Sequence, residues 1–113
     1  MHDTFGRRHL IHRTLPGILV FALLCSCSAL AENGAEIYKK KCAACHGASG
    51  AGDTMIGKNL KIHSLRSREA QDRSDEDLFN IIAKGRNKMP AFDRKLSREQ
   101  IHDLVWHIRA LVK

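Results

Sequence analysis

Cys42-Ala43-Ala44-Cys45-His46 constrains this chain more than any other feature. Two cysteines three positions apart, followed at once by a histidine, restrict both chemistry and fold. As a disulfide the pair closes almost no loop, so it stabilises little, and His46 is left unexplained. A thioredoxin-like redox pair sits at a strand-to-helix turn, and no strand pattern precedes Cys42. A zinc site wants a second pair of ligands at matching spacing. Beyond residue 31 the chain has no cysteine other than these two.

The general reading of C-x-x-C-H is covalent attachment of haem. The thiols lie near one face of a helix, where they can reach the two vinyl groups of one porphyrin. His46 then presents a ring nitrogen to the iron from the same side. Chain size points the same way. A domain of about 80 residues buries little apolar surface and usually recruits a staple or a cofactor.

That size follows from the first 31 of the 113 residues, which read as a secretory signal. Arg7, Arg8 and Arg13 face a single acid, Asp3; Gly17 to Leu24 is apolar; Ala29-Leu30-Ala31 is an A-x-A cleavage site. The apolar run falls far short of the ~20 residues a membrane-spanning helix needs, so no span is expected. Cleavage is expected after Ala31. The stretch Leu24-Cys25-Ser26-Cys27 loosely resembles a lipoprotein signal, and a lipid anchor on Cys27 is the alternative. Arg7-Arg8 also resembles a twin-arginine export signal. The mature chain, residues 32–113, carries 16 Lys and Arg against 11 Asp and Glu, a net charge of +5.

No repeat or internal linker divides the mature chain, which reads as one all-α domain. Asn33 and Glu36 make a capping-box-like start, with Ala35, Tyr38, Cys42 and Cys45 as one stripe of a helix ending near His46-Gly47. Gly47, Gly50, Gly52 and Gly57 predict an irregular loop. A short polar helix is expected over Ser67 to Arg73. Another begins at Ser74 and ends at Gly85, a C-terminal cap. In the last helix, Ser97 and Gln100 complete a capping box and Leu96 staples to Ile101. Its stripe is Ile101, Leu104, Val105, Ile108, Leu111 and Val112, and Trp106 points away from it.

The iron's other face needs a ligand or stays open to small molecules. Met89 is the candidate, in Lys88-Met89-Pro90-Ala91-Phe92, between a helix cap and a proline. A thioether is a soft ligand, and His/Met ligation raises the reduction potential. Methionine is more often core filler, but core packing is less expected in such a loop. Met55 lies too close to the cysteines to be favoured, while His63, His102 and His107 are the rival ligands.

These residues together resemble a class I c-type cytochrome, over essentially all of residues 32–113. Gly34 and Tyr38 ahead of Cys42-x-x-Cys45-His46-Gly47 are similar to that family's first helix, whose glycine and aromatic meet the last helix. Gly85 with Met89-Pro90-Ala91-Phe92 resembles its axial-methionine loop, and Asp103 to Leu111 its closing helix. The chain departs from the pattern at two places. Lys58, in Gly57-Lys58-Asn59-Leu60, stands where a proline carbonyl usually meets the axial histidine. His107 stands where a packing tyrosine is common, and helix packing is its expected role.

The resemblance implies a cytochrome c fold, with N- and C-terminal helices packed together around one covalently bound haem c. It implies a monomeric periplasmic one-electron carrier rather than an enzyme, with Cys42, Cys45, His46 and Met89 as haem-binding residues and His46 and Met89 on the iron. In this family haem is attached outside the cytoplasm to an unfolded, reduced chain, which counts against twin-arginine export. A haem sensor or peroxidase-like protein, with Met89 off the iron, is the alternative. Lys39, Lys40, Lys41, Arg86, Lys88, Arg94 and Lys95 would rim the haem edge and suit redox partners with acidic docking surfaces. No aromatic residues interleave with these cations, which makes nucleic acid a poor partner.

Overall fold

Residues 32–113 are described by the computed structural model; the signal-peptide reading and the Cys27 alternative lie outside the described residues. The elements run α1 (Gly34–Lys41), α2 (Ala43–His46), α3 (Met55–Leu60), α4 (Arg68–Gln71), α5 (Asp75–Lys84) and α6 (Arg98–Ala110). There are no strands among the described residues, only an isolated bridge between Arg86 and Met89. The all-α expectation holds.

Local chemistry sets most helix boundaries. The side chains of Asn33, Thr54, Ser67, Ser74 and Ser97 each accept a hydrogen bond from a main-chain N–H one turn on, satisfying donors that a helix start leaves free. At α6 the capping box is complete: Gln100 Oε1 accepts from Ser97 N–H at 2.9 Å. Helix α5 ends on Gly85, at φ 73°, whose N–H donates to Ile81.

Two expectations are corrected. The first helix does not run unbroken to His46. It breaks at Cys42 (φ −115°, ψ −38°), whose carbonyl accepts from both Cys45 and His46 N–H and starts a new turn. Its buried face is Gly34, Ile37 and Tyr38, while Ala35 is exposed. The glycine-rich segment is not wholly irregular either, since α3 forms inside it. Gly57 hides this helix from a propensity reading. Its Cβ would lie 2.4 Å from the Gly52 oxygen and 2.5 Å from the Cys45 oxygen, so only a glycine fits where α3 crosses α2.

The core lies where α1 and α5 meet α6. Ile37, Ile101, Leu104 and Val105 are almost wholly buried, with Tyr38, Ile108, Leu78 and Ile82 around them. The staple residues Leu96 and Ile101 are both buried. The expected α6 stripe holds through Ile108; Leu111 is half-buried and Val112 exposed, because the helix stops at Ala110. Trp106 is 75% exposed, as its position predicted. His107 packs on Tyr38 with ring centroids 4.7 Å apart, bearing out its expected packing role.

Gly34 lets α1 approach α6. A Cβ there would stand 2.1 Å from the Asp103 carbonyl oxygen and 3.0 Å from Leu104 N. Backbone cannot yield as a side-chain end can. Gly34→Ala is therefore expected to destabilise the protein by about 1–3 kcal/mol, despite alanine's better helix propensity. Urea unfolding of parent and variant checks this; an unchanged or higher midpoint would count against the crossing as drawn.

Candidate functional site

The helix break at Cys42 and the turn before Met89 face the same space. Cys42, Cys45, His46 and Met89 all line one cavity of about 570 Å³, within the ~300–1,000 Å³ of small-molecule and cofactor sites. The chain brings together the residues that the sequence singled out 43 positions apart.

The thiols of Cys42 and Cys45 are free and half-buried. Burial, and then the neighbouring Cys45, push the Cys42 thiol up to about 11. A thiol–disulfide exchange centre needs the opposite shift. Among the described residues no three His, Cys, Asp or Glu side chains converge, so a zinc site lacks its ligands. Burial also lowers the His46 pKa, which keeps the ring neutral and its lone pair available.

His46 Nδ1 is buried with no hydrogen-bond partner. The carbonyl of Lys58, which stands in the family's proline position, accepts from Lys61 N–H at the end of α3 instead. Two other bonds hold the main chain at His46 and Gly47. Tyr38 Oη donates to the Gly47 carbonyl at 2.8 Å, and Gly52 N–H donates to His46 O at 2.7 Å. Thr54 Oγ1, donating to Cys45 O at 3.0 Å, ties α3 to the same turn.

Met89 is fixed before any ligand is considered. Arg86 and Met89 exchange main-chain hydrogen bonds, N–H to O at 3.1 and 2.9 Å. Asn87 takes a left-handed conformation (φ 54°) at the corner between them. Beyond Pro90, the N–H groups of Phe92 and Asp93 donate to Ile82 and Ala83 carbonyls, clamping the segment onto α5. The Met89 side chain is half-buried against the core and lines the cavity.

The rivals separate clearly. Met55 is 81% exposed on α3 and lines no part of the cavity. His102 stacks on Phe79 and His107 on Tyr38. His63 alone of the rival histidines lines the cavity, from an exposed position.

The sequence did not single out the remaining walls. Leu60, Ile62, Leu65, Ala70, Ile81 and Phe92 add apolar lining. The lining also includes Lys41, Lys61, Arg73, Arg86 and Lys88 against one acid, Glu69. Two thiols, a half-buried neutral imidazole with an unsatisfied nitrogen, a preset thioether and apolar walls fit a haem attached through C-x-x-C-H. A pair of carboxylates on that group would find cations at the cavity wall.

Comparison with known proteins agrees with this geometry. A family model described as "Cytochrome C oxidase, cbb3-type, subunit III" matches residues 29–108. Cytochrome c6 of Nostoc sp. is 36% identical over 97 residues, covering 83% of this chain and 85% of that protein. Cytochrome c-555 of Methylococcus capsulatus is 38% identical over 79 residues, covering 68% of this chain and 58% of that protein. Among solved structures, the KustC0563 c-type cytochrome superposes with a TM-score of 0.67 at 31% identity, covering 73% of this chain and 100% of that one. Cytochrome c6 from the diatom Phaeodactylum tricornutum superposes with a TM-score of 0.53 at 33% identity, covering 70% and 90%. The chain belongs to the c-type cytochromes: it is a small class I member, a one-electron carrier with a single covalently attached haem c.

Proposed function

We propose that Cys42 and Cys45 carry the two thioether links to haem c, and that His46 and Met89 ligate its iron. The observation that carries this reading is the convergence of all four side chains on one cavity. Bound there, the haem supplies one-electron redox chemistry. The protein's own residues do the rest. Burial keeps His46 neutral. The Arg86–Met89 turn holds the thioether in place whichever redox state is present, so little rearrangement accompanies transfer. Apolar walls from Leu60, Leu65 and Phe92 exclude water, and the thioether favours the ferrous state.

The carrier works in the periplasm, after export and cleavage following Ala31, as a monomer and not as an enzyme. Among the described residues no helix is long and apolar enough to cross a membrane. Its partners are redox proteins that present acidic docking surfaces. Lys41, Lys61, Arg86 and Lys88 line the cavity's mouth and walls, with Lys39, Arg94 and Lys95 exposed on the flanking segments. Lys40 pairs with Glu32, which removes it from the set. Such a rim raises encounter rates more than affinity.

Cys42→Ser and Cys45→Ser are expected to lose stable haem retention and with it most of the fold, because a group bound only by the folded state stabilises that state. Intact-protein mass and circular dichroism read both effects; a compact, cooperatively melting apo form would contradict the reading. Mass also reports cleavage after Ala31 and any lipid on Cys27.

Met89→Ala is expected to keep covalent haem, lower the reduction potential and let the iron bind carbon monoxide. Met55→Ala, at its exposed site, is expected to change neither. A Met89 variant with the parent's spectrum and potential would transfer the role to another ligand, His63 first. A parent that already binds carbon monoxide would favour the sensor-like alternative.

Electron transfer to an acidic partner is expected to slow as ionic strength rises. Lys88→Glu with Lys95→Glu should make it slower and less salt-sensitive. Rates indifferent to both changes would leave these residues as solubilising charge.

A further inference from the structure

The cavity wall formed by residues 61–73 is held unlike the rest of the protein. None of its residues is buried, and α4 contributes no side chain to the fully buried core. Leu65 is the segment's partly buried apolar contact with that core. Yet Leu65, Ala70 and Arg73 line the cavity. What fastens this wall is polar. At one end, Leu65 N–H and Ser64 Oγ donate to the Gly50 carbonyl, at 2.7 and 3.4 Å. At the other end the bonds come from α6.

Arg109 divides its guanidinium between the wall and Asp75 at the start of α5. Nε donates to Asp75 Oδ1 at 2.9 Å. One terminal nitrogen donates to the Gln71 carbonyl at 2.7 Å and reaches Gln71 Oε1 at 3.5 Å. The other donates to the Arg73 carbonyl at 2.5 Å and to Asp75 Oδ1 at 2.8 Å. Gln71 extends the bridge, its Nε2 donating to Leu65 O at 2.7 Å and to Ile108 O at 3.3 Å. The wall is thus joined to a helix more than 30 residues away by a planar fork and one amide, beside the single core contact of Leu65.

We propose that Arg109, together with Gln71, is a positioning residue of the electron-carrying centre: it latches the 61–73 wall against the haem cavity and keeps water from the haem. The proposal rests on the ligand assignment above. A wall that swings out admits water, which favours the more highly charged ferric state. A lysine cannot replace the latch, since an ammonium is a point donor without the fork. The Glu69–Arg73 ion pair cannot substitute either, because both residues belong to the wall and move with it.

The test uses haem-loaded parent, Arg109→Gln, Arg109→Lys and the milder Gln71→Ala. Both Arg109 variants are expected to speed amide exchange across residues 65–73 about tenfold or more, with α1 and the first half of α6 unchanged. Against a fixed redox buffer, their ferric-to-ferrous ratio is expected to rise about threefold. Gln71→Ala should shift both readings in the same direction by less. Parental exchange over 65–73, faster exchange with a parental redox ratio, or full retention by Arg109→Lys would each overturn the latch. So would a loss of protection spread evenly over all helices. A parent purified without covalent haem would overturn the ligand assignment and this role with it; failure of the latch alone leaves haem-loaded variants with the parent's spectrum and ratio.

Discussion

Backbone contact between Gly34 and Asp103–Leu104 is the constraint on which the rest of the structure depends. It sets how closely α1 lies on α6, and that distance lets Ile37 and Tyr38 seal against Ile101, Leu104, Val105 and Ile108. Tyr38 then carries the crossing toward the site. Its ring rests on His107 and its hydroxyl donates to the Gly47 carbonyl, one residue past His46. Burial pushes that hydroxyl up to about 12, so it remains a donor throughout the physiological range. The position of the histidine is thereby referred to the helix pair and not to the loop that follows it.

Two kinds of cohesion meet at the cavity. The α1–α5–α6 side is apolar and close-packed, and such interiors yield little to displacement. The Met89 turn belongs to it through the bonds of Phe92 and Asp93 to α5. The 61–73 side is held by hydrogen bonds to Gly50 and from Arg109 and Gln71. Polar bonds at a surface exchange with water, so their strength depends on geometry more than on buried area. A carrier gains from this division. The Met89 turn is fastened to the packed core, while the opposite wall is set by a few named groups.

Much of this was legible in the residues. Caps at Asn33, Ser74 and Ser97, the cap at Gly85 and the α6 stripe as far as Ile108 are local signals, and each appears where it was read. Cys42, Cys45, His46 and Met89 were legible because their chemistry is specific, and the cavity brings them together. Other features were hidden by tertiary demands. Gly57 lowers the helix propensity of α3 because α2 passes too close for a side chain. The break at Cys42 leaves no mark in composition. Arg109 and Gln71 carry no local signal that they meet across more than 30 positions. Lys58, placed where a proline carbonyl was expected, proved to be a helical residue whose carbonyl is already engaged.

The α1–α6 crossing also orders events in time. Its halves, residues 34–41 and 98–110, are far apart in sequence, and loop closure precedes any reward from so distant a pairing. A chain delivered from its N-terminus presents residues 34–41 long before residues 98–110 exist to receive them. Throughout that interval Ile37 and Tyr38 have no partner and the turn at Cys42 is not yet held. With its two halves so far apart in sequence, the core closes only when residues 98–110 join residues 34–41.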